Sequence, residues 1–157
     1  NTPDQIVISG SVKAVKAASE AARRAGARKV VPLAVSAPFH CSLLRTVERE
    51  FAEALDATPV EAPQIPVVAN VSAQTVSKPE AVRQALLSQI SSPVLWEDSV
   101  EYISSKLGCK TFVEVGPGRV LSKFVNRIDP EAVTLSVDSP ETLTETLAEL
   151  KRLGLTG

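Results

Sequence analysis

Methionine is missing from all 157 residues. The chain therefore carries no initiator, and it begins at Asn1 only a few residues before an apolar stretch, so a processed product or a piece of a longer polypeptide is expected. Cysteine is scarce. Cys41 and Cys109 stand far apart with no C-x-x-C spacing, which argues against both a metal centre and a disulfide framework and fits a reducing compartment. No apolar run approaches the ~20 residues that cross a bilayer. The opening N-T-P-D lacks the basic and apolar zones of a signal peptide. Neither sign of charge is in excess: 17 Lys and Arg face 18 Asp and Glu, for a net charge of −1. That balance disfavours a dedicated nucleic-acid binder while leaving room for local basic patches. Internal repeats, low-complexity tracts and long charge runs are also lacking.

What is present is a globular composition. Hydrophobic residues make up 44% of a 16.6 kDa chain, enough for one ordinary domain with a core. Residues 5–9 (Q-I-V-I-S) are short and β-branched, and read as a strand. Ser11 suits an N-cap. Val12, Val15, Ala18, Ala22 and Ala25 then keep a helical period, and Gly26 suits the stop. Residues 29–35 read as a returning strand, with Pro32 marking an edge or bulge.

A second helix follows on Leu43, Val47, Phe51 and Leu55, then a proline-rich loop over 58–66. V-V-A-N-V at 67–71 reads as a buried strand with a polar break at Asn70. Pro79 starts a helix carrying Val82, Leu86 and Ile90. Trp96, Val100, Ile103 and Leu107 mark another, stopped at Gly108. A strand at 111–115, a G-P-G turn and a helix on Val120, Leu121, Phe124, Val125 and Ile128 come next. A last strand at 133–137 precedes S-P-E, a helix-start signature, and Leu143, Leu147, Leu150 and Leu153. Strands alternating with helices predict an α/β architecture.

Chemistry concentrates at V-S-A-P-F-H-C-S, residues 35–42. It holds His40, the sole histidine, between an apolar segment and a helix start. An imidazole can take and return a proton near neutral pH; it can equally be a structural group bonded to a backbone carbonyl. Cys41 is adjacent, but neighbours on an extended chain point opposite ways, and nucleophile and base usually come from separate elements. No G-x-S-x-G elbow occurs. The chain thus offers a candidate base and nothing for it to activate. E-V-G-P-G-R at 114–119 joins a strand to a helix. It is either a tight structural turn or an anion cradle at a helix N-terminus, and it matches neither a Walker loop nor G-x-G-x-x-G. Arg23, Arg24, Arg28 and Lys29 form one basic cluster, and Arg119, Lys123 and Arg127 another. Each is a solvated face or a landing surface for an acidic partner.

Five segments, in order, resemble the C-terminal part of the malonyl-CoA:acyl-carrier-protein transacylase family. They are N-T-P-D-Q-I-V-I-S-G at 1–10, V-S-A-P-F-H-C-S-L-L around His40, P-V-V-A-N-V at 66–71, S-Q-I-S-S-P-V-L-W at 88–96 and E-V-G-P-G-R-V-L at 114–121. The resemblance implies the C-terminal part of an α/β-hydrolase-like acyltransferase domain, residues 36–157, plus a truncated ferredoxin-like small subdomain, residues 1–35. It implies malonyl transfer from malonyl-CoA to acyl carrier protein through a serine–histidine acyl-enzyme in fatty-acid or polyketide synthesis. The position of His40 is the family's base, and a backbone carbonyl at the position of Gln89 orients the ring in place of a triad carboxylate. Phe39, Asn1, Gln5 and Asn70 fall at substrate-binding positions. A bulky residue before the histidine goes with malonyl rather than methylmalonyl use, although Phe39 could equally just pack its loop.

The carrier-facing surface would include Arg28, Lys29, Arg119, Lys123 and Arg127. No cofactor or metal is implied, malonyl-CoA being a substrate. The partners implied are the acyl carrier protein and the N-terminal half of the same enzyme, with no nucleic acid and no membrane. The expected compartment is the cytoplasm, with plastid stroma or mitochondrial matrix as alternatives. The serine elbow, its oxyanion donors and the malonate-binding arginine lie upstream of Asn1 in the family's order, so the chain alone is expected to be inactive. The competing expectation is a non-catalytic α/β module that binds a carrier protein or a partner chain.

Overall fold

Ser11 starts the first helix through its hydroxyl oxygen, which accepts the Ala14 amide proton at 3.3 Å, and α1 spans Val12–Arg24. Gly26, at φ +92°, sits just past its end, where a side chain would be strained. Arg23 and Arg24 fall in the last turn, the favourable end of the helix dipole for a cation. The computed structural model describes residues 1–155. It groups them into two compact units, one holding Ile6–Leu95 and the other Asn1–Gln5 with the chain from Trp96 onward. The division of this chain into residues 1–35 and 36–157 stays an expectation.

Two expected strands are not formed. Residues 5–9 contribute only a single bridge, between Thr2 and Gln5, and residues 29–35 have no ladder at all. β-Branched side chains favour extended backbone, but a strand also needs a second chain segment to take its N–H and C=O groups. Among the described residues no such neighbour is provided. Ile6 consequently stays 85% exposed, with Val7, Ile8, Val31, Leu33 and Val35 also exposed. Pro32 further removes a donor from the second segment, and Val35 turns back to the Leu33 carbonyl at 3.0 Å.

The rest of the first unit is helical with one hairpin. A single turn of 3-10 helix, Ser42–Leu44, leads into α2, Arg45–Asp56, which buries Leu55. The proline-rich loop follows as expected. β1, Val67–Ala69, pairs antiparallel with β2, Gln74–Val76, with Val67 opposite Val76. β2 was not foreseen, since Q-T-V offers no apolar run, and β1 stops two residues short of the expected end. α3, Pro79–Gln89, opens on its proline. Arg83 in α3 donates to the Leu55 carbonyl and, at 2.6 Å, to that of Thr58. Its guanidinium thereby adds a donor to the Leu55 carbonyl, which also accepts the Thr58 amide proton at 3.1 Å, and reaches the Thr58 carbonyl just past the helix end.

The second unit is an α-β-α-β-α arrangement. α4, Trp96–Glu101, widens into a π-helical turn, Tyr102–Lys106, where one continuous helix was expected. β3, Thr111–Val115, and β4, Val133–Val137, run parallel with Thr111 beside Val133 and Val115 beside Val137. α5, Val120–Ile128, connects them, and α6, Pro140–Arg152, follows β4. Ser139 caps α6 reciprocally: its hydroxyl accepts the Thr142 amide proton at 3.3 Å, and Thr142 Oγ1 accepts the Ser139 amide proton at 2.9 Å. Val100 of α4 and Val125 of α5 are buried and form the apolar centre. Helices and strands thus mix as the α/β expectation requires.

Candidate functional site

The chain reaches His40 through a tight turn in which the Phe39 amide donates to the Ala37 carbonyl at 3.0 Å. His40 itself takes φ +58°. That left-handed conformation costs a non-glycine residue about 1–2 kcal/mol, although histidine is among the types enriched there. The 3-10 turn begins two residues later, so the imidazole projects from a bend rather than from a regular element. The ring is exposed.

His40 Nδ1 lies 3.1 Å from the main-chain oxygen of Gln89, 49 residues away in sequence. Gln89 is the last residue of α3, and its carbonyl is one that a helix C-terminus leaves without an intrahelical partner. A carbonyl can only accept, so the hydrogen of this bond resides on Nδ1 and the lone pair of the neutral ring on Nε2. Nε2 is then able to take a proton. Cys41, by contrast, is committed elsewhere: its thiol donates to the Pro38 carbonyl at 3.3 Å.

The segment after α3 is tied down around that carbonyl. Gln89 Nε2 donates to the Ser92 and Pro93 carbonyls at 3.0 and 3.2 Å. Ser91 Oγ donates to the Glu48 carboxylate of α2. The Leu95 amide donates to the Asn70 carbonyl at 2.8 Å, so Asn70 joins the same unit through its backbone, with its side chain exposed. Phe39 is half exposed. Sequence reasoning missed Glu48, Ser91 and Arg83, because polar pairs 25 to 43 residues apart leave no local pattern.

The remaining expected residues fall in both units. Arg28 and Lys29 lie exposed beyond α1. Asn1 and Gln5 belong to the second unit, Gln5 tied by its main chain to Thr2. Arg127 pairs with Asp4 at 3.0 Å. The Thr2 hydroxyl and then this guanidinium hold the Asp4 carboxyl below its usual range. Arg119 and Lys123 border an open cleft of about 330 Å³ whose wall also carries Glu145 and Glu149.

The E-V-G-P-G-R turn is settled as structural. Glu114, at the end of β3, accepts the Leu121 and Ser122 amide protons at 3.1 and 2.8 Å and the Ser122 hydroxyl at 2.6 Å. The Ser122 hydroxyl first, and the amides next, hold this carboxyl below its usual range against the opposing effect of burial. The protein's own carboxylate thus fills the helix N-terminus that an anion would have used. Gly116 and Gly118, at φ +138° and +91°, make the bend possible. Among the described residues no cluster of three or more His, Cys, Asp or Glu could hold a metal ion, and no helix is long and apolar enough to cross a membrane.

Compared with known proteins, the chain is 39% identical over 151 residues to a malonyl CoA-acyl carrier protein transacylase of Bacillus subtilis, covering 96% of this chain and 47% of that protein. The chain resembles the malonyl CoA-acyl carrier protein transacylases. The Escherichia coli transacylase is 37% identical over 147 residues, covering 94% of this chain and 47% of its own length. An acyl-carrier-protein S-malonyltransferase structure from Burkholderia pseudomallei aligns with a TM-score of 0.85 at 40% identity, covering 88% of this chain and 45% of that one. A chain from the complex of a type II PKS acyl-carrier protein with its malonyl-transacylase aligns equally well, at 0.85 and 36% identity, over 89% and 45%. The chain spans about half the length of the curated transacylases it matches. No family model matches the sequence.

Proposed function

We propose that this chain is the histidine-bearing portion of a malonyl-CoA:acyl-carrier-protein transacylase, with His40 as general base. The observation that carries the proposal is the His40–Gln89 contact, which leaves Nε2 of an exposed ring free to act. A serine hydroxyl from outside these 157 residues attacks the malonyl thioester carbonyl while Nε2 takes its proton. The imidazolium then gives that proton to the departing thiolate of coenzyme A. In the second half-reaction the carrier's thiol surrenders its proton to Nε2 and attacks the malonyl ester, and the serine oxygen recovers the proton as it leaves. The Gln89 carbonyl keeps Nδ1–H in place throughout and stabilises the cationic ring, the task a triad carboxylate performs elsewhere.

No cofactor takes part. In the first unit Phe39 and Asn70 contact the substrate and exposed Arg28 and Lys29 meet an acidic carrier; in the second, Asn1 and Gln5 contact the substrate and exposed Arg119 and Lys123 meet the carrier. Arg127 contributes less, since Asp4 already occupies it.

The test mixes the chain with a separately made serine-bearing N-terminal half and follows malonyl transfer. The mixture should be active, and His40→Ala should lower turnover by about 10²–10⁴-fold. A folded mixture without activity overturns the proposal. The absence of a nucleophile elbow from the sequence favours one second reading, a module that binds a carrier protein without catalysis. Tight carrier binding by the chain alone, with no gain from the missing half, selects it.

A further inference from the structure

The geometry points to Glu48 and Ser91 as positioning residues that fix the tautomer of His40, an inference that rests on His40 being the base. Three observations converge. The His40–Gln89 bond joins the segment before α2 to the end of α3, and it is exposed to water. An exposed bond of this kind nets only about 1 kcal/mol, too little to hold one ring orientation by itself. Two residues beyond Gln89, Ser91 donates to Glu48, which stands on the first turn of α2. The two contacts therefore tie the same two segments side by side.

The Ser91–Glu48 contact is the stronger of the pair, because its acceptor is a carboxylate and it is partly buried. Between the two, Gln89 folds its own side chain onto the Ser92 and Pro93 carbonyls. The Gln89 carbonyl is thus held by a stiff bend whose far side is anchored to α2. Neither Glu48 nor Ser91 touches a reacting atom in this arrangement. They act through the Gln89 carbonyl, which keeps the hydrogen on Nδ1 and so keeps Nε2 ready to accept a proton.

The chain makes the test direct, since its one histidine gives a single set of imidazole nitrogen signals. In dilute ¹⁵N-labelled protein at a pH where the ring is neutral, the wild type should show the Nδ1–H form. Ser91→Ala should shift the population toward Nε2–H, the form a free imidazole prefers. Ser91→Thr, which keeps the hydroxyl, should restore the wild-type signals, and Glu48→Gln should fall between. Far-ultraviolet circular dichroism checks the fold, and if Ser91→Ala loses it, Glu48→Gln decides. In the reconstituted transferase, Ser91→Ala should lower kcat by roughly 10-fold or more with KM unchanged. Wild-type imidazole signals in a folded Ser91→Ala or Glu48→Gln variant overturn the inference. Because the spectra involve no acyl transfer, that failure is distinct from an active His40→Ala enzyme, which would defeat the transacylase proposal instead.

Discussion

Arg83 reaches from α3 to the Thr58 carbonyl at 2.6 Å, just beyond the end of α2. His40, just before the start of α2, meets the carbonyl at the end of α3. The two helices must therefore run antiparallel, with polar contacts to α3 at both ends of α2. Replacing Arg83 by Met keeps the apolar stem and removes the donors. Hydrogen bonds from a charged group contribute about 1.5–3 kcal/mol when partly buried, so Arg83→Met should lower unfolding stability by roughly 1–3 kcal/mol in urea titrations. An unchanged midpoint would show that α2 and α3 hold together without it.

Acid sensitivity should trace to Glu114. Its folded carboxyl titrates below its ordinary value of 4.5. A depressed folded value adds stability that is complete above the unfolded value and fades as pH falls through the folded one. The Asp129 carboxyl, held down first by Lys110 and then by the Ser104 hydroxyl, follows the same sign, as does Asp4. Glu114→Gln should therefore be less stable than wild type at neutral pH, and the gap should narrow as pH drops below about 4.5. Chemical denaturation at a series of pH values measures that gap, and a gap that stayed constant would remove the carboxylate from the explanation.

The exposed stretch Ile6, Val7 and Ile8 makes a different kind of demand. Three β-branched residues in open backbone form a template for pairing with another chain. Substituting Thr at Ile6 and Ile8 should raise the concentration at which light scattering first detects aggregates, with helix content unchanged. Equal scattering from both proteins would mean that another surface drives association.

That stretch also shows where the sequence was legible. Helices announced themselves locally, since Ser11, Gly26, Pro79 and Ser139 mark ends that the fold honours within a residue or so. β3 and β4 were equally plain, being apolar runs that find each other across one helix. Residues 5–9 and 29–35 have the same strand chemistry but no ladder among the described residues, and a strand's stability lies in its neighbour. β2 failed in the opposite sense: Gln74 and Thr75 look like loop, yet they pair because the turn at Ala73 brings them against β1. At the site, His40 stood out by being alone and Gln89 through resemblance to a family. Glu48, Ser91 and Arg83 meet their partners only after α2 and α3 have packed, so nothing near them in sequence could reveal them.

Phe39 offers the sharpest test of substrate choice. It precedes His40 on the same tight turn and leaves half its surface open. If the ring occupies space that an α-methyl group needs, discrimination arises from a clash. A clash is harder to relieve than a missing contact, and one methylene alone is worth about 1–3 kcal/mol, or 10–200-fold. In the reconstituted transferase, Phe39→Ala should raise kcat/KM for methylmalonyl-CoA relative to malonyl-CoA by about 10-fold or more. The single-histidine chain should keep its Nδ1–H imidazole signals, because the Gln89 carbonyl is untouched. A rise in the ratio with unchanged imidazole signals places the effect in the pocket. Loss of both substrates together, with altered imidazole signals, would instead make Phe39 a packing residue of the loop that carries the base.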